Sequence, residues 1–459
     1  MKLGNDLACF KAYDVRGKLG EEINEEIAYR IGRATAQSQK AKTIAVGFDA
    51  RATSPKLAQA VTRGICAAGT DVLDIGLAGT EEMYAAVTQF NACAGIEVTA
   101  SHNPIDYNGM KIVGRNSKPL NDQEFSSIRE LAEGKLFVAC QQTGVVLNKK
   151  QQARDTYIRK VLSFVDCSLL KPLKIVINSG NGAAGPTLDE IHKKLKEKGV
   201  ETNFILLNHS PDPSFPNGIP NPLLEENRSS TSEMVVNEKA EFGVAFDGDF
   251  DRCFFFDHYG SFIPGEYMVG ILAEIFLNKE KGSFIIHDPR VIWNTIDTVN
   301  KCGGQAVASR TGHTFIKGTM RNFDAIYGGE MSAHHYFRDF AYCDSGIIPW
   351  LLVWEQLSIS NRSLSELISG RRNRFPSSGE LNFMVPNAAT CILRVQKHFA
   401  SKATSIDELD GLSMSFDTWR FNLRKSNTEP LVRLNVETRG DDLLLKAKIN
   451  ELKNLICFS

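Results

Sequence analysis

Short apolar runs bounded by turn residues alternate with stretches of helical spacing through most of the chain. In the first segment Thr43 to Phe48, Val72 to Ile75 and Ile96 to Ala100 read as strands, with helices over Leu57 to Ala68 and Glu81 to Phe90 between them. This βαβαβ order predicts a parallel, doubly wound sheet. Pro104 forbids continuation of the third strand. Ser101 therefore falls where the chain leaves the sheet, a place where open α/β sheets collect ligands. Ala12 to Gly17 has turn chemistry and one conspicuous arginine, Arg16, and reads by itself as a surface turn. From Asn116 to Asp155 hydrophobic order is lost, which puts an expected domain boundary near residue 150.

A second unit opens with a strand over Leu173 to Ile177, a glycine-rich turn, a helix through Lys198 and a strand over Phe204 to Leu207. Asn208 to Pro222 is too irregular to be an element. Phe242 to Phe246 and Cys253 to Phe256 are strands flanking an acidic loop. A third unit repeats the rhythm, with strands at 284–287, 306–309 and 325–327, helices at 291–301 and 315–321, and an apolar helical stretch from Asp344 to Leu357. Arg371-Arg372-Asn373-Arg374 suits a linker. Beyond it the period changes. Trp419, Phe421 and Leu423 alternate with Arg420, Asn422 and Arg424, and Val432, Leu434 and Val436 alternate with Arg433, Asn435 and Glu437. Period two with one polar face predicts half-exposed antiparallel strands. Leu445, Ile449, Leu452 and Ile456 share one face of a final helix. The expectation is three successive doubly wound α/β domains, at 1–150, 151–257 and 258–370, and a smaller α+β domain at 371–459.

The totals narrow the function classes. A chain of 459 residues holds roughly three domains, or four small ones. Lys plus Arg number 53 against 54 Asp plus Glu, so no bulk attraction to nucleic acid or anionic membrane is expected. The ten cysteines are scattered without Cys-x-x-Cys or zinc spacing. Neither a signal-peptide pattern nor a run approaching about eighteen apolar residues is present. A soluble, cytoplasmic protein is expected.

Three loops carry pronounced chemistry. Ser101-His102-Asn103-Pro104, with Asn108-Gly109-Met110-Lys111 beyond it, sets a hydroxyl among proton carriers, although the tetrapeptide alone also fits a plain turn. Asp247-Gly248-Asp249-Phe250-Asp251-Arg252 aims alternate carboxylates to one side. Two like charges 4 Å apart cost about 4 kcal/mol at an effective dielectric near 20, so three converging acids call for a cation. All-oxygen ligation points to Mg²⁺. An EF-hand is excluded because Arg252 stands where Gly is required and His258 where Glu is. Arg424-Lys425-Ser426-Asn427-Thr428-Glu429-Pro430 offers cations, hydroxyls and an amide for a dianion.

Other motifs are less directive. Gly329-Glu330-Met331-Ser332-Ala333-His334-His335 places groups suited to sugar hydroxyls, or forms a polar loop with one buried histidine. Arg310-Thr311-Gly312-His313 is another strand-end turn. Gly180 to Gly185 matches the dinucleotide fingerprint, with Glu201 about twenty residues on. It supports a rival reading, an NAD-dependent nucleotide-sugar dehydrogenase, which gives the acidic triplet no role.

Taken together and in this order, SHNP with NGMK, DGDFDR, GGEMSAHH and RKSNTEP resemble the phosphoserine, metal, sugar and phosphate loops of the α-D-phosphohexomutase family, most nearly its bacterial phosphomannomutase members. The resemblance runs end to end and implies four domains around a central cleft. It implies that Ser101 carries the phosphate and joins Asp247, Asp249 and Asp251 in holding Mg²⁺. His102, Asn103 and Arg252 would neighbour the transferred group, with Lys111 or His313 as proton carrier. Glu330, Ser332 and His334 would bind sugar, and Arg424, Ser426, Asn427 and Thr428 the non-reacting phosphate. Tyr13 and Arg16 would line the cleft.

The implied reaction interconverts mannose 6-phosphate and mannose 1-phosphate through a glucose or mannose 1,6-bisphosphate, feeding GDP-mannose and surface polysaccharide synthesis. A phosphoglucomutase or dual-specificity mutase is the alternative. The only partner implied is a small sugar phosphate. One departure stands out: Phe250 occupies a position where many relatives carry Gly, and its side chain is expected to point opposite to the Asp side chains.

Overall fold

A computed structural model describes residues 7–135, 137–426 and 431–457. The chain divides into two units, Met1–Phe262 with Asp339–Asn361, and Ile263–Arg338 with Arg362–Ser459.

The first unit holds two sheets. One has the order Val15–Lys18, Tyr107–Gly114, Ala94–Val98, Thr43–Phe48, Asp71–Leu77, Val146–Asn148. Ala94–Val98, Thr43–Phe48 and Asp71–Leu77 run parallel, as their alternation with helices requires. Tyr107–Gly114 instead returns antiparallel to Ala94–Val98, because the short loop carrying Ser101 cannot make a crossover. Val15–Lys18 pairs antiparallel with it in turn. Arg16 thus lies on an edge strand rather than in a surface turn, and the sheet is mixed.

Helices Glu25–Ser38 and Ser54–Ala67 pack on this sheet, burying Ile31, Val61 and Ile65 against Ile44 and Ile96. Asn24 caps the former by accepting the Ile27 N–H at 3.0 Å, worth about 1 kcal/mol. The polar stretch from Asn116 to Asp155 is more ordered than its composition predicts. It contains helix Asp122–Gly134, started by an Asn121–Glu124 capping box, and the start of helix Lys150–Leu162. Asp122–Gly134 buries only Ile128 and Ala132, too few to leave a helical period in the sequence.

The second sheet has the order Phe262–Ile263, Cys253–Asp257, Phe242–Phe246, Lys174–Asn178, Asn203–Leu207. Helix Ile347–Ser360 completes this unit from far along the chain. It is apolar all round and buried, with Trp350 and Trp354 stacked 6.1 Å apart and Phe204 edge-on to both.

In the second unit the strands Gln305–Ala308, Phe284–His287, Tyr327–Gly329 and His335–Phe337 lie in that order, the first three parallel. The last sheet is antiparallel, ordered Leu381–Met384, Leu431–Thr438, Trp419–Lys425, Leu412–Ser415, Ser405–Asp407. Helices Ala388–Phe399 and Asp442–Cys457 pack with it.

Two expectations for this segment are corrected. Its polar alternates are not exposed: Arg420, Asn422, Asn435 and Glu437 are buried. Arg420 and Glu437 pack on the neighbouring domain, where Arg420 donates to the carbonyls of Arg290 and Pro289, both at 2.9 Å, and Glu437 accepts from the Ile292 and Trp293 N–H groups. Asn422 instead donates to the Asp410 carbonyl and Ser413 Oγ in its own domain. The basic run at 371–374 is no linker but the end of helix Leu364–Arg374, with Arg371 buried against Thr298 and Glu274. Among the described residues no helix is long and apolar enough to cross a membrane.

Candidate active site

The loop after Val98 leaves the sheet with Ser101 at φ 48°, a left-handed conformation that costs a non-glycine residue about 1–3 kcal/mol. Its surroundings over-determine it. The Ser101 N–H donates to Thr99 Oγ1 at 2.8 Å. Buried Arg51 gathers four carbonyls of the loop, donating to Ser101 and Asn103 at 2.8 and 2.5 Å and to Pro104 and Tyr107 at 2.9 and 3.1 Å. Asp49 lies 3.5 Å from the Arg51 guanidinium and accepts Ser54 Oγ–H at 2.5 Å. Asn108 donates to Thr53 and Ser54. Arg51 gave no signal of its own in the sequence, although it follows the end of strand Thr43–Phe48, where such chemistry collects.

The acidic loop meets this one directly. A Cβ at Gly248 would stand 2.7 Å from the Ser101 carbonyl oxygen, so only glycine allows the approach. Ser101 Oγ donates to Asp247 Oδ2 at 2.7 Å, 146 positions apart in the chain. Arg252 donates through Nε and Nη2 to the same oxygen at 3.0 and 2.8 Å. Its Nη2 also donates to His102 Nδ1 at 2.5 Å, so that ring nitrogen is an acceptor. The adjacent guanidinium holds the His102 pKa well below the ordinary histidine value. Ser101 Oγ lies 3.1 Å from the same nitrogen, giving its proton a second acceptor.

Asp247, Asp249 and Asp251 are buried and offer ligand oxygens all within 4.8 Å of one another. Lys111 Nζ donates to Asp249 Oδ2 at 2.8 Å and also to Asp251. Thr80 Oγ1 donates to the same Asp249 oxygen at 2.5 Å, whereas Asp249 Oδ1 is buried without a hydrogen-bond partner. Burial opposes ionisation of Asp249, but the Lys111 ammonium outweighs it and holds the carboxyl below its usual range. For Lys111, burial likewise opposes the charge and the two carboxylates overcome it, raising its pKa. Three acids meet two cations, Lys111 and Arg252, and Asp249 Oδ1 has no hydrogen-bond partner among the described residues. That donor set fits a divalent cation with a preference for oxygen. Phe250, at φ 46°, buries its ring against Gly79.

Arg16 donates to the Thr99 carbonyl and lies 3.6 Å from Asp14. A Cβ at Gly109, its cross-strand neighbour, would collide with the Val15 carbonyl at 2.0 Å. Tyr13 is partly exposed just before this strand.

In the second unit Glu330 accepts Tyr336 Oη–H at 2.6 Å and the Gly312 N–H at 2.9 Å, which ties it to the turn that starts the helix at His313. The hairpin turn closes with Ala333 at φ 69° and a Glu330 N–H bond to the His334 carbonyl at 2.9 Å. His334 stacks on Tyr336. His335 is the buried, hydrogen-bonded histidine: its Nδ1 lies 2.7 Å from Tyr327 Oη, and burial pushes its pKa down to about 3. Arg290, which stands in none of the motifs, lies 3.4 Å from Ser332 Oγ and 3.8 Å from Glu330, with Asp288 holding it from the other side. Like Arg51 it follows a strand end, that of Phe284–His287. Arg424 lies at the end of strand Trp419–Lys425 and Ser426 just beyond; Asn427 and Thr428 lie outside the described residues.

The Gly180–Gly185 turn sets its second and third glycines against protein backbone. A Cβ on Gly182 would meet the Gly248 carbonyl at 2.7 Å and one on Gly185 the His209 carbonyl at 2.0 Å, and the Ala183 N–H is spent on Gly248 O at 3.1 Å. Its glycines let the second sheet's helix support the acidic loop.

Comparison with known proteins agrees with this arrangement. Four family models match in order: phosphoglucomutase/phosphomannomutase alpha/beta/alpha domains I, II and III at residues 8–138, 155–260 and 264–375, and the C-terminal domain at 380–452. A phosphomannomutase of Salmonella montevideo is 54% identical over 98% of this chain and 99% of its own length. A protein named phosphohexose mutases, from Xanthomonas campestris pv. campestris, is 49% identical with the same coverage. A crystal structure of a phosphoglucomutase/phosphomannomutase family protein from Burkholderia thailandensis superposes with a TM-score of 0.85 at 28% identity, covering 97% of each chain. The serine loop set against an acidic triad is thus carried on a chain whose every domain has its counterpart in these relatives, and the protein belongs to the phosphoglucomutase/phosphomannomutase family of α-D-phosphohexomutases.

Proposed function

We propose that the protein is a phosphomannomutase that interconverts mannose 6-phosphate and mannose 1-phosphate through a 1,6-bisphosphate, with Ser101 Oγ as the atom that gives and takes the phosphoryl group. The observation that carries the reading is the 2.7 Å contact between that hydroxyl and Asp247, inside a buried cluster of three carboxylates and two cations. Full-length likeness to phosphomannomutases supports the choice of sugar. Its product would feed GDP-mannose and surface polysaccharide synthesis in the cytoplasm.

Asp247, Asp249 and Asp251, with an oxygen of the phosphate on Ser101, would hold Mg²⁺; when bound, the ion neutralises charge on the transferred group. The remaining steps belong to side chains. Arg51 fixes the Ser101 carbonyl and so the attack geometry at Oγ. Arg252 and Lys111 keep positive charge beside the transferred oxygens. Asp249 and Asp251 hold Lys111 protonated, so it acts as a donor, and His313 is the residue to accept the sugar hydroxyl's proton. Glu330 and Ser332, with Arg290 beside them, bind sugar hydroxyls, while Arg424 and Ser426 hold the phosphate that is not reacting.

Intact-mass measurement after incubation with glucose 1,6-bisphosphate tests the core of this scheme. Wild type gains one phosphate and Ser101→Ala gains none, losing mutase turnover by orders of magnitude. A Ser101→Ala protein of near-normal activity would reject the covalent route. Paired assays on glucose and mannose monophosphates fix the sugar preference.

A further inference from the structure

The phosphate cradle of the second unit already contains an anion. Glu380, just before strand Leu381–Met384, accepts from Arg424 Nη2 at 2.8 Å through Oε2, with Arg290 Nη1 3.6 Å from that oxygen. Its other oxygen lies 3.3 Å from Arg433 Nη1. Three guanidiniums from two domains therefore converge on one carboxylate whose side chain is 24% exposed. Arg290 also donates to Asp288, through bonds of 3.1 and 2.8 Å. Arg424 Nε, by contrast, is buried with no hydrogen-bond partner, a donor still in want of an acceptor.

We infer that Glu380 is a positioning residue, an internal counter-anion that holds the cradle's arginines when the substrate phosphate is away and is displaced from Arg424 when phosphate binds. The inference rests on the mutase reading. Burial works against its charge, but Arg290 and Arg424 hold the Glu380 carboxyl below the usual range, so it is ionised at neutral pH. A phosphate oxygen drawn to Arg424 meets like charge in that carboxylate, which works against its binding. Phosphate and Glu380 therefore compete for the Arg424 Nη2 donor that the carboxylate holds. A mutase must also let go of this phosphate once per cycle, because the bisphosphate presents each end to Ser101 in turn. A tethered carboxylate that reclaims the guanidinium speeds that release, and it spares the arginines an uncompensated interval.

Calorimetric titration of the full chain with inorganic phosphate provides the test. Glu380→Gln keeps the size and removes the charge; it is expected to bind phosphate about tenfold more tightly, or about 1.4 kcal/mol. Its KM for mannose 6-phosphate falls and its kcat falls with it, since release of the intermediate slows. Glu380→Asp, with the carboxylate drawn back by one methylene, is expected to bind phosphate with intermediate affinity and carries the test alone if Glu380→Gln does not fold. Unchanged or weaker phosphate binding in the folded variants overturns the inference, leaving Glu380 an ordinary salt-bridge residue. Failure of the functional reading looks different: wild type would turn over no hexose phosphate while the phosphate affinities still shifted.

Discussion

Lys111 provides the most direct test of the acidic cluster as a cation site. Its ammonium lies 2.8 Å from Asp249 Oδ2 and also bonds Asp251, so an arriving Mg²⁺ has to take both carboxylates from it. At this separation and an effective dielectric near 20 the gross attraction to one carboxylate is about 6 kcal/mol. Desolvation offsets most of it and leaves about 1.5–3 kcal/mol for a charge-assisted bond. Lys111→Met keeps the side chain's bulk and removes the competitor, so Mg²⁺ should bind about 10- to 150-fold more tightly. Without metal, the variant leaves the three acids facing Arg252 alone, a buried imbalance that costs about 3–5 kcal/mol. The expected pattern is therefore a lowered melting temperature in chelator, a larger rise on adding Mg²⁺ than in wild type, and a smaller Mg²⁺ dissociation constant by calorimetry. Turnover falls about 10²-fold, as the transferred group loses a fixed cation. A Lys111→Met protein that binds Mg²⁺ no more tightly than wild type would refute the idea that the ammonium stands in the cation's place.

Two other perturbations are sharp. Arg51→Lys keeps the charge but loses the fork that spans four carbonyls, so phosphoryl transfer to Ser101 should slow about 10²-fold with little change in KM; intact-mass time courses at wild-type rate would count against it. Glu97, in strand Ala94–Val98, is fully buried with both carboxyl oxygens unpartnered, and burial raises its pKa well above the ordinary value. The folded state keeps it protonated where the unfolded chain ionises, so its contribution to stability falls as pH rises from about 4.3, the usual glutamate value. Glu97→Gln should flatten that decline, and melting curves that stay parallel across pH 4.5–8 would show that the carboxyl is not held neutral.

Much of the molecule was readable along the chain because its signals are local. Strand-end loops, alternate acids and the change from helical to two-residue period depend on neighbours a few positions away, and they led to Ser101, the Asp triad and the succession of domains. What stayed hidden depends on residues brought together by folding. Ser101 meets Asp247 across 146 positions and Thr80 meets Asp249 across 169, so nothing local records either contact. Arg420 and Glu437 alternate like an exposed face, yet they are buried because they bond to a second domain packed on the sheet. Arg51, Arg290 and Glu380 look like ordinary surface charges in one dimension. Each acquires its role only when the fold supplies its partners: a charge buried among counter-charges and carbonyls is a property of three-dimensional packing, whereas a period is a property of the chain.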